Sequence, residues 1–249
     1  MSRAYATSPL RLLMPRNHGN AAWVYTSSFG GGLVDGDCLV LDIDIAPGAA
    51  AFVSSQASTK VYRSARGTSV EVYARVGREG LLVAAPDPVV CFAAARYQQV
   101  QQFELIGGGS LILVDWLSSG RHGSGERWAF DDYRSRIRVR QDGALVVHDS
   151  IGLRAEDGDL AERLGRFDVI GMMLLLGETL REPARTIVDN VAGIPLTRRA
   201  DELVAATPVR DGCLLRFAGT SVERVSRMLR EYLEFVPRLL GDDPWARKW

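Results

Sequence analysis

Apolar and polar residues alternate through much of the first two thirds of the chain. Leu39, Leu41, Ile43 and Ile45 fall on one face of an extended segment, with Asp42 and Asp44 on the other. This period of two is the signature of a half-buried strand. Val70, Val72, Ala74 and Val76 repeat it against Glu71, Tyr73 and Arg75. Pro47-Gly48 turns the chain between the two segments. Gly107-Gly108-Gly109 separates a glutamine-rich strand over 97–105 from an apolar one over 111–117. Asp142-Gly143, between segments 134–140 and 144–148, is a hairpin signal, because both residues accept the positive φ of a tight primed turn. Asp211-Gly212 gives the same signal near the end.

The last third changes period. Val222, Val225, Leu229, Leu233, Val236 and Leu240 recur at steps of three and four, which predicts an amphipathic helix over 222–240. Thr220 and Glu223 have capping-box spacing, and Gly241 supplies a stop. A short helix is predicted over 184–191. The apolar run within 166–177 fits a strand or a buried helix equally. No linker, internal repeat or low-complexity tract divides the chain. It reads as one mainly β domain over 1–249, closed by a carboxy-terminal helix.

Composition narrows the function classes. With 249 residues and 47% hydrophobic content, a chain of this size buries roughly 70–75% of its extended surface. Thirty basic and thirty acidic residues cancel, and the pI is about 6.8. No overall field therefore favours nucleic acid or an anionic membrane. Cys38, Cys91 and Cys213 lie far apart with no CxxC pair. The amino-terminal segment has no apolar core of signal-peptide length. Both observations point to a reducing compartment, the cytoplasm. No uninterrupted apolar stretch reaches the ~18 residues of a membrane span.

The usual catalytic patterns do not form. The glycine-rich segments 30–37 and 120–126 lack the Lys-Ser/Thr of a phosphate loop, and no Gly-x-Gly-x-x-Gly opens a helix. His18, His122 and His148 have no partner four residues away, and no cysteine lies close to them in sequence. A closed zinc site needs about four converging nitrogen or sulfur ligands. Ser124 sits in His122-Gly123-Ser124-Gly125, which is not a nucleophile elbow. Asp131 and Asp132 point to opposite faces of an extended chain, so they form no acid–base pair. Arg134, Arg136, Arg138 and Arg140 alternate with smaller residues, which on a strand places all four on one face ~6.5–7 Å apart. Like charges in one row need solvent, acidic neighbours or an acidic partner protein.

Several segments, in order, carry a family resemblance. They are Ser8-Pro9-Leu10-Arg11-Leu12-Leu13, the stretch from Gly30 to Ser64, Ala85-Pro86-Asp87-Pro88-Val89-Val90-Cys91-Phe92-Ala93-Ala94-Ala95-Arg96, and Leu113-Val114-Asp115-Trp116-Leu117-Ser118-Ser119-Gly120-Arg121-His122-Gly123-Ser124-Gly125-Glu126. Together these resemble the urease accessory protein family UreD, also called UreH. The resemblance marks Gly32, Gly36, Asp37, Lys60, Tyr62, Arg63, Gly120, Arg121, Gly125 and Glu126 as motif residues. One departure is Thr26-Ser27-Ser28-Phe29-Gly30, where many members have a His-Pro-Pro-like lead. The resemblance implies a β-helix-like stack of sheets with few helices. It also implies a scaffold without its own catalysis, binding UreF, through it the GTPase UreG, and apo-urease, to support nickel insertion. No bound cofactor is implied. A transient nickel path would use oxygen ligands, with Asp37, Asp115 and Glu126 the family-derived candidates. Asp37 has Lys60 or Arg63 as its natural positive partner. The alternative is a carboxylate-based carbohydrate-active enzyme on a β-helix-like fold.

Overall fold

A computed structural model describes residues 3–246, with the side chain of His122 outside the description. Four successive coils set the architecture. Each coil lays one strand in a large sheet and one in a second, smaller sheet. The large sheet runs in the order β1 (Leu10–Leu13), β2 (Ala22–Ser28), β4 (Ala50–Ser55), β7 (Leu81–Ala84), β10 (Ser110–Ser118), β13 (Val169–Leu176), β15 (Gly212–Gly219) and β14 (Glu202–Val209). The smaller sheet runs β12 (Ala144–Arg154), β11 (Asp132–Gln141), β9 (Arg96–Leu105), β6 (Thr68–Val76) and β3 (Cys38–Ile45). Two short strands, β5 (Thr59–Val61) and β8 (Val89–Cys91), pair in parallel, and β8 also pairs with β10.

Strands β2, β4, β7 and β10 are parallel neighbours, as are β3, β6, β9 and β11. Residues 22, 51, 82 and 111 stack in one column, at steps of 29, 31 and 29 residues. This is the β-helix-like stack that the resemblance implies, and it corrects the reading of a chain without repeats. The repeat lies in backbone register. Each rung requires only a small or apolar residue at its inward positions, so Ala22, Ala51, Leu82 and Leu111 satisfy it without matching in identity.

The coils end in antiparallel pairings. β12 reverses along β11 through Asp142 and Gly143, at φ 47° and 80°, as the sequence predicts. The second predicted hairpin is shifted by one residue. Its loop is Arg210-Asp211, with the positive φ of 48° on Arg210, and Gly212 opens β15. Gly212 is glycine for packing, because a Cβ there would lie 1.9 Å from the Leu175 carbonyl oxygen.

The large sheet is covered on both faces. All nine residues of β10 are buried. Ile112, Val114 and Trp116 face the helices, while Leu111 and Leu113 face the smaller sheet. β13 beside it has the same surroundings, which is why its run VIGMMLLL shows no alternation. The ambiguity over 166–177 thus resolves as a strand.

The helices are α1 (Leu160–Leu164), capped by Asp159, then α2 (Arg181–Ala192), α3 (Val222–Tyr232) and α4 (Val236–Leu240). The predicted helix over 184–191 is α2, longer by three residues at its start. The single predicted helix over 222–240 is two. Its apolar stripe is right, since Val225, Leu229, Leu233, Val236 and Leu240 are all buried. Its continuity is not. Pro237 lacks an N–H and its ring collides with the carbonyl four residues back, so the turn at 233–235 intervenes. The cap is Ser221, whose hydroxyl accepts from the Arg224 amide at 3.3 Å, rather than Thr220. Among the described residues, no helix is long and apolar enough to cross a membrane.

The stripe fixes a stability test. Leu229 is 6% exposed in the cluster that joins α3 to the large sheet. Leu229→Ala should lower the stability of the full chain by about 2–5 kcal/mol, read by urea unfolding. A loss under ~1 kcal/mol would show that the helix is not part of the cooperative core.

Candidate functional site

Most of the motif residues meet at one corner of the stack, where β5 and β8 run between the two sheets. Leu33 is pinned there by the main chain: its amide donates to the Lys60 carbonyl at 2.8 Å, and its carbonyl accepts from the Tyr62 amide at 3.0 Å. Gly32 precedes it and is buried against β5. A Cβ on Gly32 would lie 2.6 Å from the Tyr62 ring and 2.8 Å from the Lys60 carbonyl oxygen. Glycine is therefore required by close approach.

The Tyr62 ring meets Phe92 edge-on, with centroids 5.2 Å apart, and the Arg121 guanidinium lies 4.4 Å above the Phe92 ring. Arg121 also grips Glu126, with Nε donating to Oε2 at 3.0 Å and a second contact from its terminal nitrogen to Oε1. The Ala93 amide donates to the same Oε2 at 3.1 Å. The Arg121 hydrogen bond, with help from the Ala93 amide, holds the Glu126 carboxyl below its ordinary range against the opposing effect of burial. Gly125, at φ 72°, closes the loop, and Gly120, at φ 121°, lies with its Cβ direction 3.3 Å from the Cys91 and Glu126 carbonyl oxygens.

The result is a braced ridge running from Gly32 through Tyr62 and Phe92 to Arg121 and Glu126. Its cations lie outward: Lys60, Arg63 and Arg121 are exposed. The fold brings in Phe92 and the Ala93 amide as partners, which lie in the family-like segment 85–96 without a role that the sequence assigns. Their signal was the parallel pairing of β5 with β8, visible only in three dimensions. Phe29 and Val34, 60% and 53% exposed, add apolar surface on the glycine-rich segment.

Asp37 lies on the next turn and caps it, accepting from the Val34 amide at 2.8 Å. The expected pairing of Asp37 with Lys60 or Arg63 does not form. The ion pair at this turn is Asp35 with Arg66, at 3.1 Å. The Arg66 backbone amide and guanidinium together lower the Asp35 carboxyl below its ordinary range. Gly36, at φ 89°, lies against the Arg66 guanidinium. Lys60 is exposed, so its removal has no buried charge to leave uncompensated.

Asp115 is elsewhere, between the sheets. On β10 it takes the inward position between Leu113 and Leu117. It accepts from Gln99 Nε2 at 2.6 Å and from the Ser135 hydroxyl at 2.9 Å. Gln99 also accepts from the Tyr97 hydroxyl at 3.1 Å. A buried polar layer thus separates two apolar clusters of the interior. Burial raises the Asp115 carboxyl above its usual range, and the two hydrogen bonds offset part of that. The three carboxylates Asp37, Asp115 and Glu126 therefore each hold other partners in separate places. Among the described residues, no group of three or more His, Cys, Asp or Glu side chains converges as a metal site.

Arg134, Arg136, Arg138 and Arg140 share the outer face of β11, while Ser135, Ile137 and Val139 point inward. Arg134 pairs with Asp132 at 2.8 Å, and Arg140 donates to the Gly143 carbonyl at 2.8 Å.

Comparison with known proteins supplies the frame for this geometry. A family model described as "UreD urease accessory protein" matches residues 1–249. The chain belongs to the UreD family. It is 50% identical to the urease accessory protein UreD of Sorangium cellulosum over 250 residues, covering 100% of this chain and 80% of that one. It is 46% identical to the UreD of Anaeromyxobacter sp., covering 97% of this chain and 82% of that one. The urease accessory protein D of Arabidopsis thaliana is 33% identical, over 98% of this chain and 96% of that one. Membership supports a role in urease maturation and leaves the carbohydrate-active alternative without a supporting observation.

The buried layer carries a pH test. A raised carboxyl pKa means that the fold favours the protonated acid. Its stability contribution is intact below the ordinary value near ~3.9 and is lost as pH rises through the raised one. Asp115→Asn stays neutral throughout and keeps an oxygen acceptor for Gln99. The stability of Asp115→Asn relative to the unaltered chain should therefore increase from about pH 4 to about pH 7, by urea unfolding. A difference that is flat or falls with pH would contradict this.

Proposed function

We propose that the chain is a non-catalytic scaffold of urease maturation in the cytoplasm. It binds UreF, recruits the GTPase UreG through UreF, and docks the assembly on apo-urease so that nickel reaches the buried active site. The observation that carries this reading is the ridge from Gly32 to Glu126. The motif residues are spent on a rigid, exposed surface, with close main-chain contacts inside and the cations of Lys60, Arg63 and Arg121 outside. Such an arrangement suits recognition. The GTP chemistry belongs to UreG, which agrees with glycine-rich segments that serve turns and close packing in this chain.

Nickel is cargo in this scheme. A carboxylate that passes it on must release it, and Asp37, Asp115 and Glu126 each hold another partner to return to. Glu126 is half-buried beside the exposed Arg121 and would exchange Arg121 for the passing ion.

Urease activation and soluble yield, measured together in cells, test the proposal. Lys60→Ala should keep full soluble yield yet lower activation by roughly fivefold or more, the weight of an interface side chain worth ~1–2 kcal/mol. Glu126→Gln keeps an acceptor for the Ala93 amide but loses the charge that holds Arg121, and should behave likewise. Full activation by both variants, or a parallel loss of yield and activity, would sink the reading. Copurification of UreF with the unaltered chain tests the partner directly.

A further inference from the structure

The outer face of the smaller sheet carries a charge pattern that only the strand register reveals. Cross-strand neighbours form rows over β3, β6, β9 and β11. One row is Asp44, Arg75, Glu104 and Arg140. The next is Asp42, Tyr73, Gln102 and Arg138, and the third is Val40, Glu71, Val100 and Arg136. The first row alternates in sign, and read backwards it presents the opposite sign at every place. The second has a negative end, a neutral middle and a positive end.

A surface of this kind complements itself. A second copy, rotated by a half-turn about an axis parallel to the strands and between β6 and β9, lays its β11 over β3 and its β9 over β6. Asp44 then meets Arg140, Arg75 meets Glu104 and Asp42 meets Arg138, each pair occurring twice. Tyr73 meets Gln102. In the third row Val40 meets the Arg136 stem and Glu71 meets Val100, so no like charges are opposed. Stacked sheets sit ~10 Å apart, about the combined reach of an arginine and an aspartate.

The face is open and its cations are underused. Arg75, Arg136 and Arg138 have no ion pair among the described residues. A shallow groove of about 410 Å³ runs between Asp44, Tyr73, Arg75, Glu104 and Arg138. Val40 and Tyr73 are 56% and 37% exposed, which gives the face some apolar area to bury.

We propose that this face is an interface between two copies of the chain, with β3 of each copy supplying the acidic partner for the arginine stripe of the other. Four strands ~4.8 Å apart and about eight residues long cover roughly 500 Å² per copy. Both copies together reach about 1,000 Å², the lower limit for a specific interface. The dimer is accordingly weak and salt-sensitive. A broad acidic protein suits the face less well, because Asp42 and Asp44 lie only three strands from the stripe, ~14 Å away, and would repel it.

A charge-swap experiment decides the matter. Two differently tagged copies of the full chain are coexpressed in a host without urease genes, so that no urease partner bridges them. The unaltered copies should copurify at low salt and separate at high salt. Asp42→Lys paired with itself, and Arg138→Glu paired with itself, should each lose recovery by about tenfold, since every such dimer opposes like charges twice. Asp42→Lys paired with Arg138→Glu should recover, because both contacts become opposite in sign. The double variant D42K/R138E should recover against itself for the same reason. Failure of the unaltered copies to copurify overturns the proposal. So does a mixed pair no better than the single variants, which would be the result if an acidic host protein held the stripe. Neither outcome bears on urease activation.

Discussion

Everything in this molecule hangs on the parallel main-chain ladder between successive coils. A coil by itself is an extended loop whose strands leave their amide and carbonyl groups unpaired, and such groups are costly to bury. Stacked in register, each coil satisfies the next, and residues 22, 51, 82 and 111 come into one column. The antiparallel strands β12 and β13 then cover the last coil in each sheet, and the helices cover the outer face of the large sheet. Parallel pairing also constrains the corners. The glycine-rich segment can pair with β5 at Leu33 only if the chain approaches without a side chain, which is what Gly32 permits.

The interior is not uniformly apolar. Asp115, Gln99 and Ser135, with the Tyr97 hydroxyl, form a hydrogen-bonded layer between two apolar clusters. An unpaired polar group at such a depth costs more than a lost contact, so these residues depend on one another. They also specify register. A slip of one residue in β9 would turn Gln99 outward and take from Asp115 one of its two donors. The carboxylate thus does structural work that a hydrophobic residue could not do in the same way.

The motif ridge and the sheet face illustrate two ways of building a surface. On the ridge, Arg121, Glu126 and the Ala93 amide lock one another, and the surrounding glycines let main chains touch. On the sheet face Arg75, Arg136 and Arg138 have no ion pair among the described residues, and the order of charges across four strands carries the information. The first suits a fixed recognition feature. The second suits a weak, salt-dependent contact.

The sequence by itself determined the elements whose two faces differ. Strands β3, β6 and β11 alternate because one face meets the core and the other meets water, and Asp142-Gly143 has only one comfortable use. The stripe of α3 and α4 was legible for the same reason, although Pro237 divides the helix. The family motifs were legible as sequence, although the contacts of the Phe92 ring and the Ala93 amide that brace them were not. Tertiary structure alone decided the rest. β13 is buried on both faces, so its run of apolar residues has no period to read. The repeat of about thirty residues is invisible because stacking requires a shape at each rung and no particular residue. Asp35 and not Asp37 holds the ion pair, since partner choice depends on where the neighbouring coil places Arg66. The charge rows of the outer face join residues some thirty positions apart, and only the ladder register brings them into line.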